Sequence, residues 1–270
     1  METALAFLSP AGAVIAAWWI GTAAIMRLDR LPRRTFPVSL AAGGVLAILG
    51  LIAVIAFADQ ASATGAYAGF GGALLLWAWV ELAFLTGAVV GPRRAPCPPG
   101  TGRARLFFAV QAVLYHELAL LAVGAALLAA TWGAANMTAL WVFAVLWCMR
   151  ASAKLNLHFG VPNLGDELLP PRLRYLGTYF SRGPATPLLP ATVGLAALAA
   201  LPLWKSAFAL EASGHAGVEA VILATLLSLA ILEHLMMVLP IPQSRLWGAG
   251  AKDVSAANTP AASNGEERAS

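Results

Sequence analysis

The stretch VSLAAGGVLAILGLIAVIAFA, residues 38–58, carries no charged side chain from one end to the other. A helix needs about 20 mostly apolar residues to cross about 30 Å of hydrocarbon. Lipid offers no partner to backbone amides, and the alternating pattern of a barrel strand is absent, so a span here has to be helical. The stretch therefore predicts a transmembrane helix.

The composition of the whole chain agrees with this stretch. Of its 270 residues, 60% are hydrophobic and 11% are charged, whereas about 25% of the residues of a soluble domain are charged. We predict an all-α, polytopic integral membrane protein with about seven transmembrane helices. The predicted spans are 5–26, 38–58, 66–90, 106–130, 134–151, 188–204 and 218–239.

Lysine and arginine indicate the orientation of the chain. Of the 17 Lys and Arg residues, all but Lys205 fall on one side of the predicted spans. The positive-inside rule then predicts a periplasmic N-terminus and a cytoplasmic C-terminus. Because topology accounts for the net charge of +4, no nucleic-acid partner is predicted. Residues 1–248 are predicted to form the bundle, and residues 249–270, which are poor in apolar side chains, a disordered cytoplasmic tail.

The predicted cytoplasmic loop 150–187 is long enough to hold structure of its own. Within it, four apolar residues recur at helical spacing: Leu169, Leu173, Leu176 and Phe180. The pattern is typical of a short amphipathic helix lying in the membrane interface, and it fits equally a loop helix packed beneath the bundle. At the start of the loop, Arg150, Lys154 and His158 are expected to line the mouth of the fifth helix by snorkelling toward head groups.

Five ionisable residues fall inside the predicted spans: Glu81, His116, Glu117, Glu233 and His234. A charge at mid-bilayer costs about 2.5–3.5 kcal/mol, so such residues should face one another or a wet cavity. Counted from the predicted cytoplasmic ends, the first three lie roughly 15 Å deep and the last two roughly 10 Å deep. We therefore predict one intramembrane polar cluster, formed by three helices that are distant in sequence.

The residue types in this cluster allow three interpretations. Glutamate and histidine can pair across helices as polar contacts that hold a bundle together. They can also bind a ligand, either a metal ion or, through an imidazole, the metal of a tetrapyrrole such as bacteriochlorophyll. Finally, they can line a path for protons or a solute. Adjacent His-Glu and Glu-His pairs match neither the HExxH nor the Glu-x-x-His spacing, so a resident metal ion is the less favoured ligand.

The segment AKLNLHFGVPNLGDELLPPRLRYLGTYF, residues 153–180, resembles the signature of the photosynthetic complex assembly protein 2 family (PuhE-type) of phototrophic purple bacteria. The polytopic profile is similar to that family over nearly the whole chain. The resemblance implies a multi-pass protein of the bacterial inner membrane, cytoplasmic or intracytoplasmic, that supports assembly of the reaction centre and its light-harvesting ring. It implies no set of catalytic residues.

Three hypotheses of function follow. The leading one is an assembly factor that contacts nascent reaction-centre and light-harvesting subunits and binds or hands over a bacteriochlorophyll-type pigment. The alternatives are a membrane metalloenzyme, an oxidase or hydrolase of a lipid-soluble substrate, and a proton-coupled carrier. For the first hypothesis, the residues expected to contact partners are Lys154, Asn156, His158, Pro162, Asn163, Arg172, Arg174, Tyr175 and Tyr179.

Overall fold

The computed structural model describes residues 2–209 and 214–239. Each of the seven helices has a stretch long and apolar enough to cross a membrane, and no β-strand occurs in the described ranges. The prediction of an all-α protein with seven spans is therefore confirmed. The helices are α1 (Glu2–Asp29), α2 (Phe36–Ala56), α3 (Ala63–Leu85), α4 (Gly102–Thr131), α5 (Thr138–Phe159), α6 (Leu188–Ala209) and α7 (His215–Leu235).

Helices α3 and α7 form the centre of the bundle. More than half of the most apolar window of each is buried, whereas the other helices bury less than a quarter of theirs. Close packing around α3 depends on glycine: a Cβ atom at Gly72 would lie 2.6 Å from the backbone oxygen of Gly50 on α2. The outer faces of α1, α2 and α6 expose large apolar side chains, as lipid-facing helices do.

The loops that carry most of the arginines meet at one end of the bundle, which we call the basic end. There α1, α3, α5 and α7 finish, and α2, α4 and α6 begin. Two loop side chains tie this end together: Arg172 donates to the backbone oxygens of Leu85 and Asp29, and Asn163 donates to that of Met236. The predicted disordered tail, residues 249–270, lies outside the described residues.

Several predicted helix ends are wrong, and the largest error concerns α5. This helix continues to Phe159, eight residues past the predicted end at 151, and stops at Gly160, whose φ of +137° favours glycine. The stretch between has no helix breaker, and charge alone does not end a helix. Lys154, Asn156 and His158 therefore lie on α5, not in a loop. Conversely, α3 ends at Leu85 and not at 90.

The amphipathic α-helix predicted around Leu173 is instead a 3₁₀ helix, Pro171–Tyr179. Side chains three residues apart share one face of a 3₁₀ helix, and the buried face here is Leu173, Leu176 and Tyr179, with Phe180 beyond the helix end. This face packs against apolar residues of α3, α4 and the segment between them: Phe84, Val90 and Ala112. One face of the 3₁₀ helix therefore packs against the bundle.

Candidate functional site

The charged cluster is centred on Glu81 of α3, whose side chain is only 9% exposed. Its Oε2 accepts a hydrogen bond from Nη2 of Arg150 on α5 at 3.2 Å, and its Oε1 lies 3.8 Å from Nε2 of His116 on α4. Arg150, which was expected to line the mouth of the fifth helix, instead pairs with a carboxylate inside the bundle. Three helices thus converge on one carboxylate.

A second ion pair extends the cluster toward the basic end. Nζ of Lys154 lies 2.5 Å from Oε1 of Glu117, and both side chains are about a quarter exposed. Arg150 and Lys154 are four residues apart and so share one face of α5. The charge of Arg150 also acts on Glu117 and on Glu233. Positive and negative groups therefore alternate across α3, α4 and α5, which is the arrangement of interhelical polar contacts.

His116 is fully buried and lies directly beside this network. Its ring is 4.4 Å from the ring of Phe84, and its backbone N–H donates to the oxygen of Val90 at 3.0 Å. Among the described residues, neither ring nitrogen of His116 has a hydrogen-bond partner, and the same is true of Glu81 Oε1. The histidine thus has no exposed surface, and one face of its ring lies against Phe84.

The two remaining predicted cluster residues point in different directions. His234 is buried, with Nδ1 2.8 Å from the oxygen of Ala230 and Nε2 2.8 Å from the hydroxyl of Ser152. A carbonyl only accepts, so Nδ1 carries the proton and Nε2 accepts from Ser152. Both ring nitrogens are therefore occupied. Glu233 instead turns toward α1, where Oε1 accepts a hydrogen bond from Nε1 of Trp18 at 2.8 Å.

Depth along the helices differs from the sequence-based estimate. Glu81 is four residues from the end of α3, about 6 Å along the helix axis, and Glu233 and His234 occupy the last turn of α7. The difference arises because α3 and α7 both end earlier than predicted. Within residues 2–209 and 214–239, no three His, Cys, Asp or Glu side chains converge in a way that could hold a metal ion.

Several residues predicted to contact partners are used inside the protein. Asn156 is buried and donates to Ser152 O and Thr192 Oγ1. The Tyr179 hydroxyl accepts from Arg93 Nε and donates to Ala95 O. His158 Nδ1 lies 3.1 Å from Tyr179 O.

Two further residues of this set also form hydrogen bonds within the protein. Besides Met236, Asn163 donates to Leu239 O, and the oxygen of Pro162 accepts from Arg182. Of the same set, Arg174 is exposed. Tyr175 is partly buried, and burial raises the pKa of its hydroxyl.

Arg172 has a structural role that the sequence did not indicate. Its Nε donates to Leu85 O at 2.6 Å and its Nη2 donates to Asp29 O at 2.7 Å, so one guanidinium caps the C-terminal ends of α3 and α1. The same group lies 4.5 Å from the centre of the Phe36 ring at the start of α2. Burial lowers the pKa of the guanidinium, and the charge of Asp29 counteracts this.

Replacement of Arg172 should loosen the basic end. Arg172→Ala removes two hydrogen bonds from a charged donor, each worth about 1.5–3 kcal/mol. We expect a loss of about 3 kcal/mol and a fall of roughly 5–10 °C in the unfolding temperature of the detergent-solubilised protein. Arg174→Ala, two residues away and exposed, is the matched control and should change little. Equal unfolding temperatures for the two variants would refute the capping role.

A second polar group, at the opposite end of the bundle, was also missed. Asn136 Nδ2 donates to Phe57 O at 3.0 Å and Gly65 O at 2.8 Å. Its Oδ1 must therefore accept, and His215 Nε2 lies 3.1 Å away. Thr138 donates to Glu219 at 2.5 Å. In the sequence, Asn136 is only an interruption of an apolar run. That pattern does not indicate that its side chain connects the ends of four helices.

Comparison with known proteins gave two matches. A protein-family model described as "Protein of unknown function (DUF3623)" matches residues 4–257. An "Uncharacterized 30.4 kDa protein in puhA 5'region" of Rhodobacter capsulatus is 36% identical over 235 residues, which cover 85% of each chain. No solved structure matches.

Proposed function

We propose that the chain, which belongs to the DUF3623 family, is a membrane factor for assembly of the photosynthetic reaction-centre and light-harvesting complex. Its location in this proposal is the inner membrane of an anoxygenic phototroph. The observation that carries the proposal is the Rhodobacter capsulatus relative, whose name locates it in the 5′ region of puhA, a photosynthesis locus. The resemblance of residues 153–180 to an assembly-protein signature supports the same function. The basic end faces the cytoplasm in this proposal.

The geometry of the charged cluster is compatible with a scaffold. Glu81 and Glu117 are each paired with a cation, and His234 has both nitrogens engaged. The cluster therefore holds α3, α4 and α5 together. In this proposal, the outer surfaces of the bundle make the contacts with client subunits. Since His116 is enclosed, the proposal assigns no pigment ligation to this histidine.

A deletion strain tests the proposal. Loss of the gene should lower the amount of assembled reaction-centre and light-harvesting complex while pigment synthesis continues. The measurement is the near-infrared absorption spectrum of isolated membranes, which reports complex, set beside total extracted pigment, which reports synthesis. A strain that assembles normal amounts of complex would contradict the proposed function.

Complementation provides the matched controls. The wild-type gene supplied in trans should restore assembly, which excludes an effect on neighbouring genes. The His234→Ala variant, which removes a histidine whose nitrogens are already engaged, should also restore assembly wherever it accumulates normally in the membrane. Failure of the wild-type gene to complement would mean that the deletion acts through its neighbours.

A further inference from the structure

A pocket opens at the basic end, between the segment that follows α3 and the side of α4. Its volume is about 360 Å³, and five residues line it: Pro92, Arg93, Arg94, Ala95 and Gln111. Two of them are cations and one carries an amide, whereas no acidic side chain of the described residues lines the pocket. From residue 82 to residue 116 the sequence contains four arginines and no Asp or Glu. Positive charge is therefore concentrated at this pocket.

Arg93 is held in place by groups that carry no charge. Its Nε donates to the hydroxyl of Tyr179 at 3.0 Å, and its Nη2 donates to Pro96 O at 3.4 Å. The guanidinium also lies 4.9 Å from the centre of the Phe108 ring. These contacts fix the side chain without neutralising it. A guanidinium fixed in this way loses little conformational freedom when it binds a phosphate, with which it can form paired hydrogen bonds.

Arg94 supplies a second cation without a counter-ion. Its side chain is exposed, and it forms no ion pair in the part of the chain that the structure describes. Burial raises the pKa of the Tyr175 hydroxyl and the charge of Arg94 opposes this, but the phenol remains neutral at physiological pH. The carboxylate of α4, Glu117, is already paired with Lys154. The pocket is therefore suited to an anion from outside the chain.

The length of α4 places this pocket at the level of lipid head groups. Trp132, which directly follows the helix, is 78% exposed, and tryptophan is enriched where a helix leaves the membrane. Gln111 precedes Trp132 by 21 positions, or about 31 Å along the helix axis. The hydrocarbon core is about 30 Å thick. With Trp132 at one interface, Gln111 lies at the other.

An apolar face of α4 leads from the pocket into the membrane. Tyr115 and Leu118 follow Gln111 by four and seven residues and so share its face of the helix. Their side chains are 48% and 51% exposed. A lipid whose head group occupies the pocket can lay an acyl chain along this face, whereas a free phosphate would contact the polar residues alone. The combination of two cations and an exposed apolar face favours a lipid.

We propose that the pocket formed by Arg93, Arg94 and Gln111 binds the head group of an anionic phospholipid, whose acyl chains lie against Tyr115 and Leu118. The two guanidinium groups bind the phosphate, and the amide of Gln111 donates to its oxygens. Basic pockets on the cytoplasmic side of membrane proteins bind anionic head groups. A zwitterionic lipid brings a cation of its own, which the arginines repel. The inference goes beyond the proposed function and does not depend on it.

Native mass spectrometry of the purified full-length protein tests the site. Phosphatidylglycerol is titrated in a nonionic detergent, and the Kd of the first bound lipid is measured. Arg94→Gln removes a charged donor to the phosphate and should raise this Kd about tenfold. Arg34→Gln is the matched control, because it makes the same change of charge at an exposed arginine of the basic end that does not line the pocket. It should change the Kd by less than about twofold.

A second pair of variants tests the role of charge without removing the side chains. Gln111→Glu places a carboxylate beside the two arginines and should abolish binding of phosphatidylglycerol. Arg94→Lys keeps the charge and should retain most of the affinity. Equal Kd values for Arg94→Gln and Arg34→Gln would overturn the proposal, as would unchanged binding in Gln111→Glu or equally tight binding of phosphatidylcholine by the wild-type protein.

The source of the anion is identified by competition and by crosslinking. Millimolar inorganic phosphate should leave the Kd of phosphatidylglycerol unchanged, and a photoreactive amino acid at Ala95 should form adducts with phospholipid in native membranes. Displacement of the lipid by inorganic phosphate would make this a site for a free anion. An adduct with an acidic segment of a protein would make it a protein-docking site. Either result would overturn the assignment to a phospholipid.

Discussion

Arg150→Met should destabilise the bundle by about 3 kcal/mol, the lower end of the range for breaking a buried ion pair. The variant leaves Glu81, which is 9% exposed, without the cation that contacts it at 3.2 Å. The value falls at the lower end because the Arg150 side chain is itself 41% exposed. The measurement is the free energy of unfolding of purified protein in mixed micelles, titrated with a denaturing detergent.

A double variant separates the ion pair from the packing of its members. Arg150→Met combined with Glu81→Leu removes both charges and keeps similar volumes, and we expect it to recover most of the lost stability, because apolar replacements of a buried pair are often neutral. The coupling between the two positions is then read from a double-mutant cycle. If the double variant loses as much as the two single variants combined, Glu81 and Arg150 do not act as a pair.

Gly91→Ala should cost about 3 kcal/mol, or fail to accumulate, although it adds one methyl group. A Cβ atom at Gly91 would lie 2.2 Å from Gln111 O and 2.6 Å from Ala112 O on α4. Both are backbone atoms, so a flexible side chain cannot relieve the clash. The segment would have to move away from α4 and break the hydrogen bond from His116 N to Val90 O. The same denaturing-detergent titration measures the loss.

Gly71→Ala is the control for Gly91→Ala, and its expected effect on stability is the opposite. Gly71 lies within α3, and a Cβ atom there would meet nothing within 4 Å among the described residues. Alanine is the better helix former by about 0.5–1 kcal/mol, so this variant should be neutral or more stable. Equal effects of the two substitutions would show that the segment around Gly91 is not held against α4 as closely as the structure has it.

The helices could be predicted from the sequence because long apolar runs leave no alternative in a bilayer, as residues 38–58 illustrate. Their ends cannot be predicted in the same way, because a charged side chain does not by itself end a helix. The predicted fifth span ends at residue 151, whereas the helix continues to Phe159 and the backbone conformation changes at Gly160. The early end of the predicted span leaves Lys154, one of the two cations of the site, in the predicted loop.

The candidate site could be predicted from the sequence only in part. Glu81 and His116 were identified because ionisable residues are rare in apolar spans. Their mutual contact, and the separation of Glu233 from it, depend on the rotation of each helix about its axis, which sequence spacing does not give. The 3₁₀ helix shows a related limit. Leu173 and Leu176 fit a period of three as well as 3.6, and only the burial of Tyr179 distinguishes the two.

Pulse-labelling tests the assembly function most directly. Cells that carry an affinity-tagged copy of the protein are labelled briefly at the onset of pigment synthesis and then chased, and the protein is purified from gently solubilised membranes at intervals. We predict that newly made reaction-centre or light-harvesting subunits copurify during the pulse and disappear from the protein as they enter the mature complex. Labelled subunits recovered no more strongly than with an unrelated multi-pass protein, at every interval, would contradict it.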